Sequence, residues 1–304
     1  MGGKSGDYAR AIRLFAEAES AETFARAVAL TEGAAAGGDA DATAMLATIE
    51  AVGAGRPRNW QRALDLLPLA ARRGSDHARR QLELFEGRSP EELLAPPPRT
   101  PLASQPILAS QPMLSVFEGF ARPAECRWVI ERMQARLGPA MIWDPVTGRG
   151  KVDPQRSNSA VELRLGEMDV VLAVLRARIA AATRLPEFIF EVPQVMHYAV
   201  GQAFTLHHDY LDPAQPGPAA DIARRGQRMG TFLIYLNDDF EGGETEFPRA
   251  GIAHRGKAGD ALFFANVTPD GRPDPLSWHM GKPPTSGEKW ILSQWIRDRA
   301  PAGG

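Results

Sequence analysis

The chain has very little cysteine: one residue, Cys126, in 304. An intramolecular disulfide is therefore excluded, and a core must hold by packing alone. Long apolar runs are missing too. No stretch of about eighteen apolar residues exists, so no segment reads as a membrane-spanning helix. A charge excess of either sign is also lacking: 35 basic against 37 acidic side chains leave a net −2. Neither nucleic acid nor an anionic membrane is implied as an obligatory partner. The first residues, Met1 to Tyr8, carry no apolar core of the kind found in secretion signals, so the expectation is a cytoplasmic protein.

What is present suits a sizeable globular fold. Hydrophobic residues make up 44% and charged residues 24%, ordinary proportions for a packed core under a solvated surface. The length suggests two domains, or one with an appendage.

Residues 8–87 are alanine-rich, with apolar positions such as Ile12, Phe15, Phe24 and Val28 at helical spacing. They also repeat. Ala27, Leu30, Ala34, Gly38, Ala42 and Leu46 recur as Ala63, Leu66, Ala70, Gly74, Ala78 and Leu82, each 36 residues later. That period belongs to helix–turn–helix arrays, in which small residues admit close helix pairing and glycine ends a helix. The stretches 34–46 and 70–82 resemble Sel1-like repeats, relatives of the tetratricopeptide repeats. The resemblance implies a helical module over residues 1–87 that binds a protein partner or braces its neighbour.

Residues 88–112 read as a proline-rich linker, with three prolines at 96–98 and a doubled Leu-Ala-Ser-Gln-Pro at 102–106 and 108–112. Proline at this density favours extended chain. From residue 113 the pattern mixes a strand near 116–120, helices near 122–137 and 167–185, and a loop-like stretch over 138–159. Strand-like runs follow at 189–198, 203–210, 231–236, 261–264 and 290–296. Helices with many short strands predict an α+β fold, helices packed on a sheet sandwich or jelly roll.

Candidate chemistry concentrates between Tyr198 and Trp295. His207 and Asp209, two apart on an extended segment, share a face, and the intervening His208 points away. His279 follows 72 residues after His207, and Lys289 ten residues after that. Two imidazoles and one carboxylate on one side of a metal leave three positions open, as in non-haem Fe(II) oxygenases. A hairpin after His279 would bring Lys289 onto an adjacent strand, where its ammonium could meet the far carboxylate of a bound dicarboxylate. Tyr198 could add a hydroxyl. His77, His197 and His254 are expected to be surface, core or supporting residues.

These phrases occur in order: Tyr198 through Tyr210, Arg228 through Leu236, Glu-Gly-Gly-Glu-Thr-Glu-Phe-Pro at 241–248, Gly-Asp-Ala-Leu-Phe-Phe at 259–264, Ser-Trp-His-Met-Gly at 277–281 and Gly-Glu-Lys-Trp at 287–290. Together they resemble the prolyl 4-hydroxylase group of 2-oxoglutarate- and Fe(II)-dependent dioxygenases. The resemblance implies a double-stranded β-helix (jelly-roll) catalytic domain with flanking helices over residues 113–299, followed by a short tail at 300–304. It implies Fe(II) on His207, Asp209 and His279, and 2-oxoglutarate held by Lys289 and Tyr198 in a pocket lined by Thr231 and Trp295. Arg228 falls on the substrate side, with a structural salt bridge as its alternative role. O2 is the co-reactant, and ascorbate a reductant.

The implied reaction is hydroxylation of a peptidyl residue, proline first, with release of succinate and CO2. A carboxylate at 209 favours hydroxylation, since related halogenases carry a small residue there. Rival readings are a small-molecule hydroxylase on the same scaffold, a protein-interaction adaptor with an inactive fold and a hydrolytic zinc site. Trp278, where an aliphatic residue is usual, and His208 depart from the family pattern beside ligands. The stretches 212–227 and 266–275 resemble loops that cover substrate.

Overall fold

The computed structural model of the chain describes residues 3–17, 20–101, 113–144 and 149–301. The doubled Leu-Ala-Ser-Gln-Pro and the last three residues lie outside them. Two compact units emerge, and they do not follow chain order. One joins Met1–Pro96 with Leu163–Thr183, and the other joins Pro97–Glu162 with Arg184–Gly304.

The first unit is helical, with helices Gly3–Glu17, Ala21–Ala36, Ala40–Val52, Trp60–Arg72, Asp76–Phe85 and Pro90–Leu94. The 36-residue spacing has a local counterpart in the turns. Gly38 and Gly74 both adopt left-handed backbone (φ 94° and 106°), a region that costs glycine little. One residue on, Asp39 and Ser75 cap the next helices, accepting from the amides of Ala42 (2.8 Å) and Ala78 (3.3 Å). Each thereby satisfies an amide left unpaired at a helix start. Arg73 ties the two turns together, donating to the Ala35 carbonyl (2.7 Å) and the Thr43 hydroxyl (2.6 Å).

Helix Val170–Thr183 also belongs to this unit, although it falls inside the span 113–299. Its residues are buried almost all round from Val170 to Ile179, so it is a core helix without a solvated face. The Val170 amide donates to Gln81 Oε1 (3.0 Å), and the Arg178 guanidinium donates twice to the Leu93 carbonyl (2.8 and 3.1 Å). That bond has a consequence for residues 88–94. The expected linker begins instead with helix Pro90–Leu94, started by a capping box between Ser89 and Glu92 and anchored by buried Leu93.

The second unit is built on two antiparallel sheets. The larger has eight strands in the order Thr100–Pro101, Leu114–Phe117, Ala261–Ala265, Arg228–Tyr235, Lys289–Arg297, Gln194–Tyr198, Ser159–Glu162 and Gly138–Pro139. The smaller runs Ile252–His254, Thr245–Phe247, His279–Gly281 and Phe204–His207. The core lies between them. Leu233, Tyr235, Leu262, Phe264 and Ile291 of the large sheet pack with Phe247 of the small one, and the Phe247 and Phe264 rings meet edge to face at 5.1 Å. The arrangement is consistent with the expected jelly roll.

Alternation along the strands sorts the rest. Phe232, between Thr231 and Leu233, turns to the other face and meets Phe117 (5.5 Å) and Phe120 (4.9 Å). Helix Pro123–Met133 lies against the same strand, with the Cys126 thiol 3.9 Å from the Tyr235 carbonyl.

Three expectations need correction. The 138–159 stretch is not loop-like; it carries strand Gly138–Pro139, the start of strand Ser159–Glu162, and a hairpin of Met141–Asp144 with Arg149–Val152. The 212–227 stretch contains helix Pro216–Arg225, because proline in its first turn gives up only an amide that has no helical partner. The run 189–198 is strand only over Gln194–Tyr198, its first residue being the end of the 3-10 turn Glu187–Ile189.

Candidate active site

A pocket lined from both sheets gathers the chemistry. His207 closes strand Phe204–His207, and His279 opens its antiparallel neighbour His279–Gly281, the two being register partners. Strand alternation is not what delivers Asp209. The strand stops at His207, and Asp209 stands in the bend that follows. The bend still brings Asp209 Oδ1 to 3.7 Å from His207 Nε2 and Oδ2 to 3.7 Å from His279 Nε2. One ligand atom from each of the three lies within 4.8 Å of the others, the geometry of a potential metal site.

Hydrogen bonds orient the donors. His207 Nδ1 lies 2.7 Å from the Thr205 carbonyl, and His279 Nδ1 lies 3.0 Å from the Ser277 carbonyl. A carbonyl can only accept, so each Nδ1 carries a proton, and Nε2 is the nitrogen of each ring that lies nearest Asp209. Such outer bonds recur at metal-bound histidine. The Phe204 ring stacks on His207 at 3.5 Å, and Phe264 meets His279 at 4.7 Å.

The electrostatics suit a divalent cation. Burial, reinforced by His279, pushes His207 down to about 3 against the pull of Asp209, so the imidazole is neutral. Burial alone would raise Asp209, yet the facing histidines, Arg228 and the Thr231 hydroxyl hold it well below the usual carboxylate range. Two imidazoles and a carboxylate form the donor set of a hard-to-borderline divalent ion with open positions, as Fe(II) requires.

The pocket continues away from the triad between Met196, Tyr198, Thr231, Leu233, Thr245, Gly281, Lys289, Ile291, Ser293 and Trp295. Lys289, Ile291, Ser293 and Trp295 are alternate residues of one strand, so a single face supplies four lining side chains. Lys289 is not on a strand adjacent to His279, as a simple hairpin would place it. Residues 282–288 carry the chain across to the large sheet, where Lys289 pairs in register with Tyr198. Its side chain is 1% exposed, donates to the Gly243 carbonyl (2.6 Å) and lies 5.4 Å from the Tyr198 ring centre. Burial pushes the amine down to about 7, opposed only in part by Glu244. Burial also pushes Tyr198 up to about 12, so its phenol stays protonated.

Thr231 and Trp295 line this pocket. The Trp295 indole Nε1 is buried without a partner among the described residues, the state of a donor awaiting an acceptor. Arg228 is placed otherwise. It does not line the pocket; it grips Glu191 through two bonds (2.6 and 3.1 Å) and lies 4.0 Å over the Trp295 ring. Of its two candidate roles the structure displays the salt bridge. His208 stacks on Trp278 at 5.7 Å, outside the pocket lining.

Two further residues join the site. Thr245 is buried in the pocket wall, where its hydroxyl accepts from Tyr235 (2.9 Å). Asn266 donates to the Thr231 hydroxyl (3.1 Å) from just beyond strand Ala261–Ala265. Thr245 stands within the Glu-Gly-Gly-Glu-Thr motif at 241–245, and Asn266 two residues past the Phe-Phe pair, but neither position has a periodicity that marks it.

Comparisons with known proteins agree with this chemistry. Residues 193–297 match the model of the 2OG-Fe(II) oxygenase superfamily. Prolyl 4-hydroxylase 1 of Arabidopsis thaliana is 33% identical over 208 residues, covering 64% of this chain and 72% of the relative. Prolyl 4-hydroxylase 2 of the same plant is 32% identical over 210 residues, covering 62% and 68%. Among solved structures, the viral collagen prolyl hydroxylase of Paramecium Bursaria Chlorella virus-1, in its 2OG complex, is 27% identical. It aligns over 60% of this chain and 94% of its own with a TM-score of 0.46.

The protein is a 2-oxoglutarate-dependent dioxygenase that uses Fe(II), 2-oxoglutarate and O2. Within that class, the chain belongs to the prolyl 4-hydroxylase-like 2OG-Fe(II) oxygenases.

Proposed function

We propose that the protein hydroxylates a prolyl residue of a peptide or protein, releasing succinate and CO2. The observation that carries the reading is the pairing of the His207, Asp209 and His279 triad with buried Lys289 across one pocket. The relatives named as prolyl 4-hydroxylases support the choice of substrate.

In this reading His207, Asp209 and His279 hold the iron, and Lys289 pairs with the distal carboxylate of 2-oxoglutarate. When bound, Fe(II) with 2-oxoglutarate and O2 supplies the oxidising power to place oxygen on an unactivated C–H bond. The protein's work is positional. Tyr198, protonated, offers its phenol to the same carboxylate as Lys289. Trp295 and Thr231 close the wall between the two ends of the pocket, and Met196, Leu233 and Ile291 keep water from that wall. The N-terminal helices, read as Sel1-like repeats, recruit a protein substrate. Cytoplasmic placement belongs to the same reading.

The test is anaerobic. Fe(II) and 2-oxoglutarate are added to the protein, and the visible charge-transfer band of the chelated cosubstrate is recorded. The band forms with wild type, disappears in His279→Ala and weakens in Lys289→Ala. In air, succinate release rises with proline-containing peptides and not with free proline. Stimulation by free proline alone would move the activity to small molecules, and a folded protein without the band would overturn the oxygenase site.

A further inference from the structure

The ligand positions come from two places in the chain, His207 with Asp209 and, 70 residues after Asp209, His279, and something must hold them in register without a preformed hairpin. One side chain reaches furthest into that support. Asn266 is 0% exposed. Its Nδ2 lies 3.1 Å from Thr231 Oγ1, and Thr231 Oγ1 lies 2.6 Å from Asp209 Oδ2.

Proton counting fixes the direction of this chain. The Thr231 hydroxyl donates to Asp209 Oδ2, and that bond uses its single proton. The Thr231 oxygen is then an acceptor, and the Asn266 atom facing it must be the amide NH2. Oδ2 thus already accepts one hydrogen bond, while Oδ1 accepts none among the described residues. Asn266 also acts through its backbone. Its amide donates to the Met229 carbonyl (2.9 Å) and its carbonyl accepts from Asp274 (3.0 Å). The Asp274 carbonyl receives the Ser277 hydroxyl (2.8 Å), and the Ser277 carbonyl receives His279 Nδ1 (3.0 Å). One residue therefore supports two of the three ligands, by different atoms.

We infer that Asn266 is a positioning residue for the metal site: it locks the Thr231 hydroxyl toward Asp209 Oδ2, leaving Oδ1 alone to bind the ion. This rests on the triad being the metal site. A carboxylate confined to one oxygen keeps the remaining positions of the ion open for cosubstrate and O2, whereas a freely turning one can close a position by binding through both. Outer partners of this kind typically alter metal affinity by about 10- to 100-fold.

The probe is Co(II), titrated into metal-free protein and followed by its visible absorption, with His279→Ala as the reference for a broken site. Asn266→Ala should weaken Co(II) binding about tenfold. Thr231→Val should weaken it similarly, and the double variant should be no worse than Thr231→Val alone, because the two act in series. Asn266→Asp should bind more weakly than Asn266→Ala and show an altered band shape. The new carboxylate would draw the Thr231 proton away from Asp209, an effect that a loss of packing does not produce. Metal-free melting temperatures report folding, and if Asn266→Asp fails to fold, the alanine and valine cycle decides.

Wild-type affinity in Asn266→Ala, or losses that multiply in the double variant, would overturn the inference while leaving the triad intact. Wild type binding no better than His279→Ala would overturn the triad reading and this inference with it.

Discussion

Lys289 and Tyr198 are register partners on neighbouring antiparallel strands, and the lysine nitrogen lies 5.4 Å from the centre of the tyrosine ring. A buried cation beside an aromatic face, with one backbone carbonyl as its described hydrogen-bond partner, is short of counter-charge.

That shortage makes cosubstrate binding depend on pH. The Lys289 amine sits near 7 in the free protein, and a bound carboxylate favours its charged form. Above about pH 7, binding must therefore take up a proton, and 2-oxoglutarate affinity falls with rising pH by up to about tenfold per unit. Calorimetric titration of the Fe(II)-loaded protein between pH 7.5 and 9 measures this. Lys289→Ala should bind about 10- to 100-fold more weakly, with the slope gone. The same lowering acts on folding. The unfolded chain holds this proton up to the ordinary lysine value, so its contribution raises stability as pH climbs from about 7 toward 10.5.

Metal should stabilise the fold. Binding to the folded state alone adds about 2.7 kcal/mol at a metal concentration one hundred times the dissociation constant. Differential scanning calorimetry with Co(II) and then with a chelator should show the melting temperature rising and returning. His279→Ala should abolish the rise.

Arg228 distinguishes a strut from a substrate contact. Removing it leaves Glu191, which also meets Arg297 at 2.7 Å, with a weakened partnership in a buried setting. Breaking such a pair typically costs about 3–5 kcal/mol. Arg228→Gln should lower stability on that scale in urea unfolding. A stable Arg228→Gln protein with a raised peptide KM would restore the substrate role.

The helical turns make a separate prediction. Asp39→Ala and Ser75→Ala each remove a helix cap, at about 1 kcal/mol apiece. Ser75 should cost more, because its hydroxyl also donates to Asp41 (2.8 Å). Urea unfolding followed by circular dichroism checks the order.

Motif phrases set the triad, Lys289, Tyr198, Thr231 and Trp295 in short local frames, and the structure gathers them round one pocket. What the sequence could not show depends on pairing over distance. Lys289 lies across the sandwich from His279 because residues 282–288 change sheets, and no local pattern distinguishes that path from a hairpin. Asp209 is reached by a bend, so strand alternation gives a sound pairing for an incorrect reason. Asn266 and Thr231, 35 residues apart in the chain, meet because strand Ala261–Ala265, which Asn266 follows, neighbours the strand of Thr231. Helix Val170–Thr183 shows helical spacing, but spacing says nothing about which core will receive it.

Strand Lys289–Arg297 has one more consequence. It lies between Arg228–Tyr235 and Gln194–Tyr198, in the interior of the large sheet and not at its edge. A nascent chain lacking it has two exposed sheet edges where the finished protein has a continuous ladder, together with half a pocket. During synthesis the pocket wall therefore cannot be complete before strand Lys289–Arg297 has been made, and until then two strand edges stand unpaired.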